Sequence, residues 1–112
     1  MEKKNFSYDD MADSLIVSRK SDNDKVNGGA IIGDLVLDFT DEGKLVNVEF
    51  MNISKFLKFI GVDVNLNELI EAELVVREYD KAVSLFFLLR TVDSRRIIPL
   101  TTIPMSKSLP AI

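Results

Sequence analysis

The side chains of this chain that could do chemistry are carboxylates, and they gather in its first half. Residues 1–54 carry 6 basic and 11 acidic side chains, a net −5, against 8 and 7 over residues 55–112, a net +1. Asp9, Asp10, Asp13, Asp38, Asp41 and Glu42 are hard oxygen donors of the kind that hold Ca²⁺ or Mg²⁺. Asp9 with Asp13 would make a general acid–base pair if the two were buried together. Asp9, Asp13, Asp38 and Asp41 are therefore the candidate metal ligands, and a weak divalent-cation or small-ligand binder on the acidic turns is one reading. The competing reading is structural. Aspartates at strand ends bond backbone N–H groups two positions on, and the spacing here matches no EF-hand loop, so a solvated acidic rim is the stronger expectation.

The rest of the inventory excludes more than it offers. The chain has no histidine and no cysteine, which removes the commonest general base, thiol nucleophiles, disulfides and most zinc, copper or iron sites. No spacing among Ser, Tyr, Lys and the carboxylates builds a recognised nucleophile and base pair. The sequence reads as a non-enzyme that needs no cofactor. Arg90, Arg95 and Arg96 near Phe86 and Phe87 would suit stacking on single-stranded nucleic acid, but the net charge of −4 and the absence of Trp oppose it. Gly28, Gly29 and Gly33 precede no helix, so they form no phosphate-binding loop. The longest apolar run, Leu85 to Leu89, is far too short to span a bilayer. Residues 1–10 lack the apolar stretch of a signal peptide. A cytoplasmic protein is expected.

The elements that must position these side chains start from residues 33–50. Two alternating runs flank Asp41-Glu42-Gly43-Lys44, the pattern of a β-hairpin with half-buried strands. Leu35/Phe50, Leu37/Val48 and Phe39/Val46 are the expected pairs, with Asp34, Asp38, Asn47 and Glu49 on the wet face. Residues 5–8 and 14–20 read as two short strands joined by an acidic turn, and 21–29 as a loop. Ile53, Phe56, Leu57 and Ile60 recur at helical spacing, with Asn52 or Ser54 as N-cap and Gly61 at the C′ position. A second short helix is expected at 66–71 with Asn65 as cap. Strands follow near 72–78, 82–91 and 95–103, the last an edge strand or one that ends early, because Pro99 lacks a donor. Residues 104–112 form a tail that should fray.

The run Tyr8-Asp9-Asp10-Met11-Ala12-Asp13-Ser14-Leu15, followed by Gly33-Asp34-Leu35-Val36-Leu37-Asp38 and Asp41-Glu42-Gly43-Lys44-Leu45-Val46, resembles the small prokaryotic domain-of-unknown-function family 2283. The resemblance covers about residues 6–57, with Ile53-Ser54 in place of the family's Ala-Ser-like positions before the helix. It implies strands, an Asp-containing hairpin turn with Gly, and a short helix. It carries over no activity and no catalytic residue. Some members are thought to be encoded beside small toxin-like proteins, which implies an antitoxin-like or other protein-binding role. Fewer positions, Gly33, Asp38, Gly43 and Val46 to Val48, are similar to the PRC-barrel domain, which implies a small closed barrel.

At 112 residues the chain is expected to be one domain. Its fold class reads as α+β, an antiparallel β-meander of about six or seven strands with a short amphipathic helix packed on one face. The strand at 82–91 is apolar on both faces, and one short helix covers only one. A homo-oligomer with Phe86, Phe87 and Leu88 at the interface is the expected solution, and a closed barrel the rival one. The function that follows is a small protein-interaction or regulatory module, with a protein partner and neither membrane nor nucleic acid.

Overall fold

A computed structural model describes residues 4–104. The expected fraying tail falls almost wholly outside them. Eight antiparallel strands, β1 (Phe6–Asp9), β2 (Ser14–Ser18), β3 (Val26–Ile32), β4 (Leu35–Thr40), β5 (Leu45–Met51), β6 (Glu71–Tyr79), β7 (Ala82–Arg90) and β8 (Arg95–Pro104), form two sheets. Helix α1 (Ile53–Phe59) and a 3₁₀ turn at Leu66–Glu68 connect them. The fold is roughly α+β as expected, mostly β with one small helix, but it has eight strands instead of six or seven and the first sheet is not a meander. The first sheet runs β1-β2-β5-β4-β3 and the second β6-β7-β8.

The order of the first sheet follows from what β5 can bury. Val48 and Phe50 lie between Leu15 and Val17 on one side and Leu35 and Leu37 on the other. All six side chains are buried, so β5 is the centre and the β1–β2 and β3–β4 hairpins dock on its two edges. Two of the three expected hairpin pairs hold, Leu35/Phe50 and Leu37/Val48. Phe39 pairs with Leu45 instead of Val46, because a register shift after Asp38 inserts an extra residue and lets both Leu45 and Val46 be buried.

The loop expected at 21–29 ends early, since β3 begins at Val26. Gly33-Asp34 is its turn, with Gly33 at φ 57°, the left-handed conformation a two-residue hairpin loop requires. Every residue of β3 is exposed, so no burial pattern advertises it.

The second sheet covers the inner face of the first. Leu85, Phe87 and Leu89 of β7 join Leu15, Val48, Phe50, Ile53 and Leu57 in one core. The Phe50 ring lies 6.4 Å from Phe87 across the sheets and 4.9 Å from Phe56 of α1. Asn5 ties the layers at the margin, its Nδ2 donating to Ser18 O at 3.2 Å and to Ala72 O at 2.9 Å. The helix lies where its stripe predicts, with Ile53 and Leu57 buried and Phe56 half-buried, while Ile60, just past its end, is 37% exposed. It ends as expected at Gly61, where Gly61 N–H donates to Lys58 O and Val62 N–H to Leu57 O. The second helix is shorter than expected. Asn65 caps it by accepting from Asn67 N–H, but it stops at Glu68 because Glu71 already pairs in β6. As expected, β8 is an edge strand. Among the described residues no helix is long and apolar enough to cross a membrane.

Candidate functional site

The acidic residues are placed by the turns that hold them. Asp9 closes the β1–β2 turn, its Oδ1 accepting from Met11 N–H at 3.0 Å and Ala12 N–H at 3.2 Å. Asp13, at φ 53°, reaches out of the same turn to a distant element. Its carboxylate accepts from Ser54 N–H at 3.1 Å, from Ser54 Oγ at 2.7 Å and from the Tyr8 hydroxyl at 2.7 Å, while its backbone carbonyl accepts from Ile53 N–H at 3.2 Å. Asp13 thus caps the N-terminus of α1 from a distant turn, beside Asn52 at the N-cap position. Neither Asn52 nor Ser54 caps as expected: Asn52 sits in the left-handed region with no side-chain cap bond, and Ser54 donates its hydroxyl to Asp13.

The electrostatics of Asp13 follow from these bonds. Burial pushes the Asp13 carboxyl up, but the Ser54 and Tyr8 hydrogen bonds and the Lys55 charge outweigh it and hold it below the ordinary value. Tyr8 is pushed up to about 12, first by burial and then by its bond to Asp13 and the nearby charges of Asp13, Asp10 and Asp9.

The other two metal candidates lie elsewhere in the sheet. Asp38 accepts from Asn47 Nδ2 at 3.2 Å across the β4–β5 pair, and Asp41 is bonded by Asn27. Among the described residues no three carboxylates come together as a metal site. All four candidates are occupied by protein donors.

A cleft of about 460 Å³ opens between the sheets beside Phe39, Leu45, Val83 and Leu85. Its cations are already committed, Arg19 Nε to Leu45 O at 2.8 Å and Lys44 Nζ to Asp24 at 2.9 Å. Glu42 and Glu78 also line it, and it contains no hydroxyl, thiol or imidazole.

The candidate interface residues divide. Phe87 is 0% exposed in the core, and its neighbours Phe86 and Leu88 point to the opposite, outer face because side chains alternate along a strand. Cross-strand register sets Phe86 between Val75 and Pro99, and Leu88 between Glu73 and Ile97. Leu88 is buried by these neighbours, Phe86 and Val75 are half-buried, and Ile97 is 58% exposed. Arg77 and Arg95 border the patch. Arg90 bonds Glu71 at 2.7 Å, which holds the Glu71 carboxyl below its ordinary value. The sequence signal for this face was the two-sided apolarity of β7. Pro99 and Ile97 became part of it only through the β7–β8 register.

Fold and site together define a small two-sheet domain with an acidic turn that caps its helix. Residues 5–54 match the family described as "Protein of unknown function (DUF2283)", so the resemblance carried by the Tyr8–Leu15 and Gly33–Val46 segments holds over β1 to the start of α1. No curated protein and no solved structure matches the chain.

Proposed function

We propose that the domain is a non-enzymatic protein-interaction module whose docking surface is the outer face of the β6-β7-β8 sheet. The observation that carries this reading is the patch of Phe86, Val75, Pro99 and Ile97, which lies on the face opposite the core and has no layer over it among the described residues. Soluble domains seldom keep such a face uncovered unless it meets a partner. Arg77 and Arg95 at its border select a partner with an apolar patch edged by carboxylates. An antitoxin-like binder of a small acidic protein is the most concrete form of this reading. Phe86 is suited to anchor the contact, since aromatic side chains at the centre of a patch supply most of the binding energy.

The test places a photo-crosslinking phenylalanine analogue at Phe86 or, as control, at exposed Ile16 of the other sheet, in the native cell. One protein crosslinked from Phe86 and not from Ile16, whose binding to the purified domain falls at least tenfold in Phe86→Asp with unchanged melting temperature, supports the proposal. Equal crosslinking at both positions, or binding indifferent to Phe86→Asp, refutes it.

A further inference from the structure

The strand that sequence patterning does not reveal, β3, is the outermost strand of its sheet, paired with β4 on one side only. Its whole length, Val-Asn-Gly-Gly-Ala-Ile-Ile, is exposed, with Ile31 at 74%. Free edges of natural sheets are ordinarily blunted by lysine, proline or an inward charge. From Val26 to Ile32 there is none of these. The one irregularity, a register shift between Val26 and Gly29, leaves the stretch from Gly29 regular.

We propose that β3 is a homodimerisation strand, which pairs antiparallel with β3 of a second copy about a two-fold axis at Ala30 and joins two five-stranded sheets into one of ten strands. A two-fold relating antiparallel strands must pass through one residue paired with itself, because only then do both copies keep their inner faces on the same side. Ala30 satisfies that geometry best. It sets Ile31 opposite Gly29 of the second copy and Ile32 opposite Gly28, so each large side chain meets a position with no side chain. The ends are complementary in charge. Lys25 and Asp34 bracket the strand, and once the extra residue between Val26 and Gly29 is counted, the antiparallel pairing brings Lys25 of each copy beside Asp34 of the other, a favourable cross-strand arrangement. Ile31 lies in the outer row with Val36, and Ala30 and Ile32 lie in the inner row with Leu37 and Leu35. The joined sheet therefore extends both apolar rows of each copy across the axis. The contact leaves the outer face of β6-β7-β8 free, so it goes beyond the proposed docking function.

The absence of cysteine makes the test direct. Residues paired on the axis of an antiparallel ladder have Cα atoms about 4.5–5.5 Å apart, within reach of a disulfide. Two Ile31 residues would be about 8 Å apart, beyond it. Single variants Ala30→Cys, Ile31→Cys and Ile16→Cys are oxidised under mild conditions at equal concentration. Crosslinking at Ala30→Cys at least tenfold faster than at the other two is expected. Light scattering should give a concentration-dependent mass rising from 12.6 kDa toward twice that, restored to the monomer by Ile31→Lys with an unchanged melting temperature. Equal crosslinking rates at Ala30 and Ile16, or a monomer at all concentrations, overturns the proposal, and an edge reserved for a foreign extended peptide would give the latter. Loss of the Ala30 crosslink in Phe86→Asp also overturns it, because the two copies would then meet through the outer face of the other sheet.

Discussion

Replacing Asp13 by alanine should destabilise the domain by about 3 kcal/mol, because three separate effects fall on one residue. Loss of the helix N-cap, here the bonds to Ser54 N–H and Oγ, costs about 1 kcal/mol. The half-buried Tyr8 hydroxyl loses its acceptor at 2.7 Å, which costs about 1 kcal/mol more. Alanine in the left-handed conformation that Asp13 holds at φ 53° adds about 1 kcal/mol. Asp13→Asn keeps an acceptor oxygen and tolerates that conformation, so it should lose only about 1 kcal/mol. Thermal unfolding at pH 7 reads this as a fall of about 12–24 °C for Asp13→Ala and about 4–8 °C for Asp13→Asn.

The pH dependence has a definite sign. The Asp13 carboxyl titrates lower in the folded state than in the unfolded chain, so its contribution is present above the ordinary carboxylate range. It is lost as pH falls through the folded value. The gap between wild type and Asp13→Asn should close in acid and stay constant from about pH 5 to 8. A loss below about 1 kcal/mol in Asp13→Ala, or equal losses in both variants, would refute the assignment of Asp13 as the cap.

Three further outcomes follow from the packing and the hydrogen bonds. Leu57→Ala, at a buried core position, should cost about 2–5 kcal/mol, and half-buried Phe56→Ala distinctly less; urea unfolding that reverses the order would mean the helix is rotated. A Cβ added to Gly29 would stand 2.8 Å from Leu37 O, so Gly29→Ala should destabilise the β3–β4 pair, seen as faster amide exchange in β3 and β4 than in β6–β8. Tyr8→Phe should remove an ultraviolet-detected phenol titration near pH 12. The stability held by Tyr8 is present below about pH 10 and lost as pH rises toward the folded value, so a Tyr8 that ionises near pH 10 contradicts the bond to Asp13.

Several elements of this domain are legible in its sequence, because the interactions that make them are local or periodic. The stripe Ile53, Phe56, Leu57 and Ile60 defines helix α1, alternation defines β4 and β5, and runs of β-branched and aromatic residues between turn signals define the three C-terminal strands within a residue or two. β3 is not legible in the same way. Its side chains are exposed on both faces, so no period separates it from a loop, and its one local signal is the Gly33-Asp34 pair between Ile32 and Leu35, which favours a two-residue hairpin turn. The candidate site divides in the same way. The apolarity of β7 on two faces can be read directly, but only the packed sheets decide that Phe87 belongs to the core and that Phe86 and Leu88 face outward with Ile97.

What the chain leaves to tertiary structure is every choice that joins residues far apart. The docking of β2 on β5, the division into two sheets, and the capping of α1 by an aspartate 41 positions earlier depend on which apolar faces meet first and best. Local patterns supply the faces. Their pairing is set by the burial gained when Phe50, Phe56 and Phe87 share one core. The acidic turn illustrates the limit most clearly. Residue types alone allow Asp13 to be a metal ligand, a catalytic carboxylate or a turn residue, and its partners Tyr8 and Ser54, assembled only in the folded chain, make it the cap of a helix.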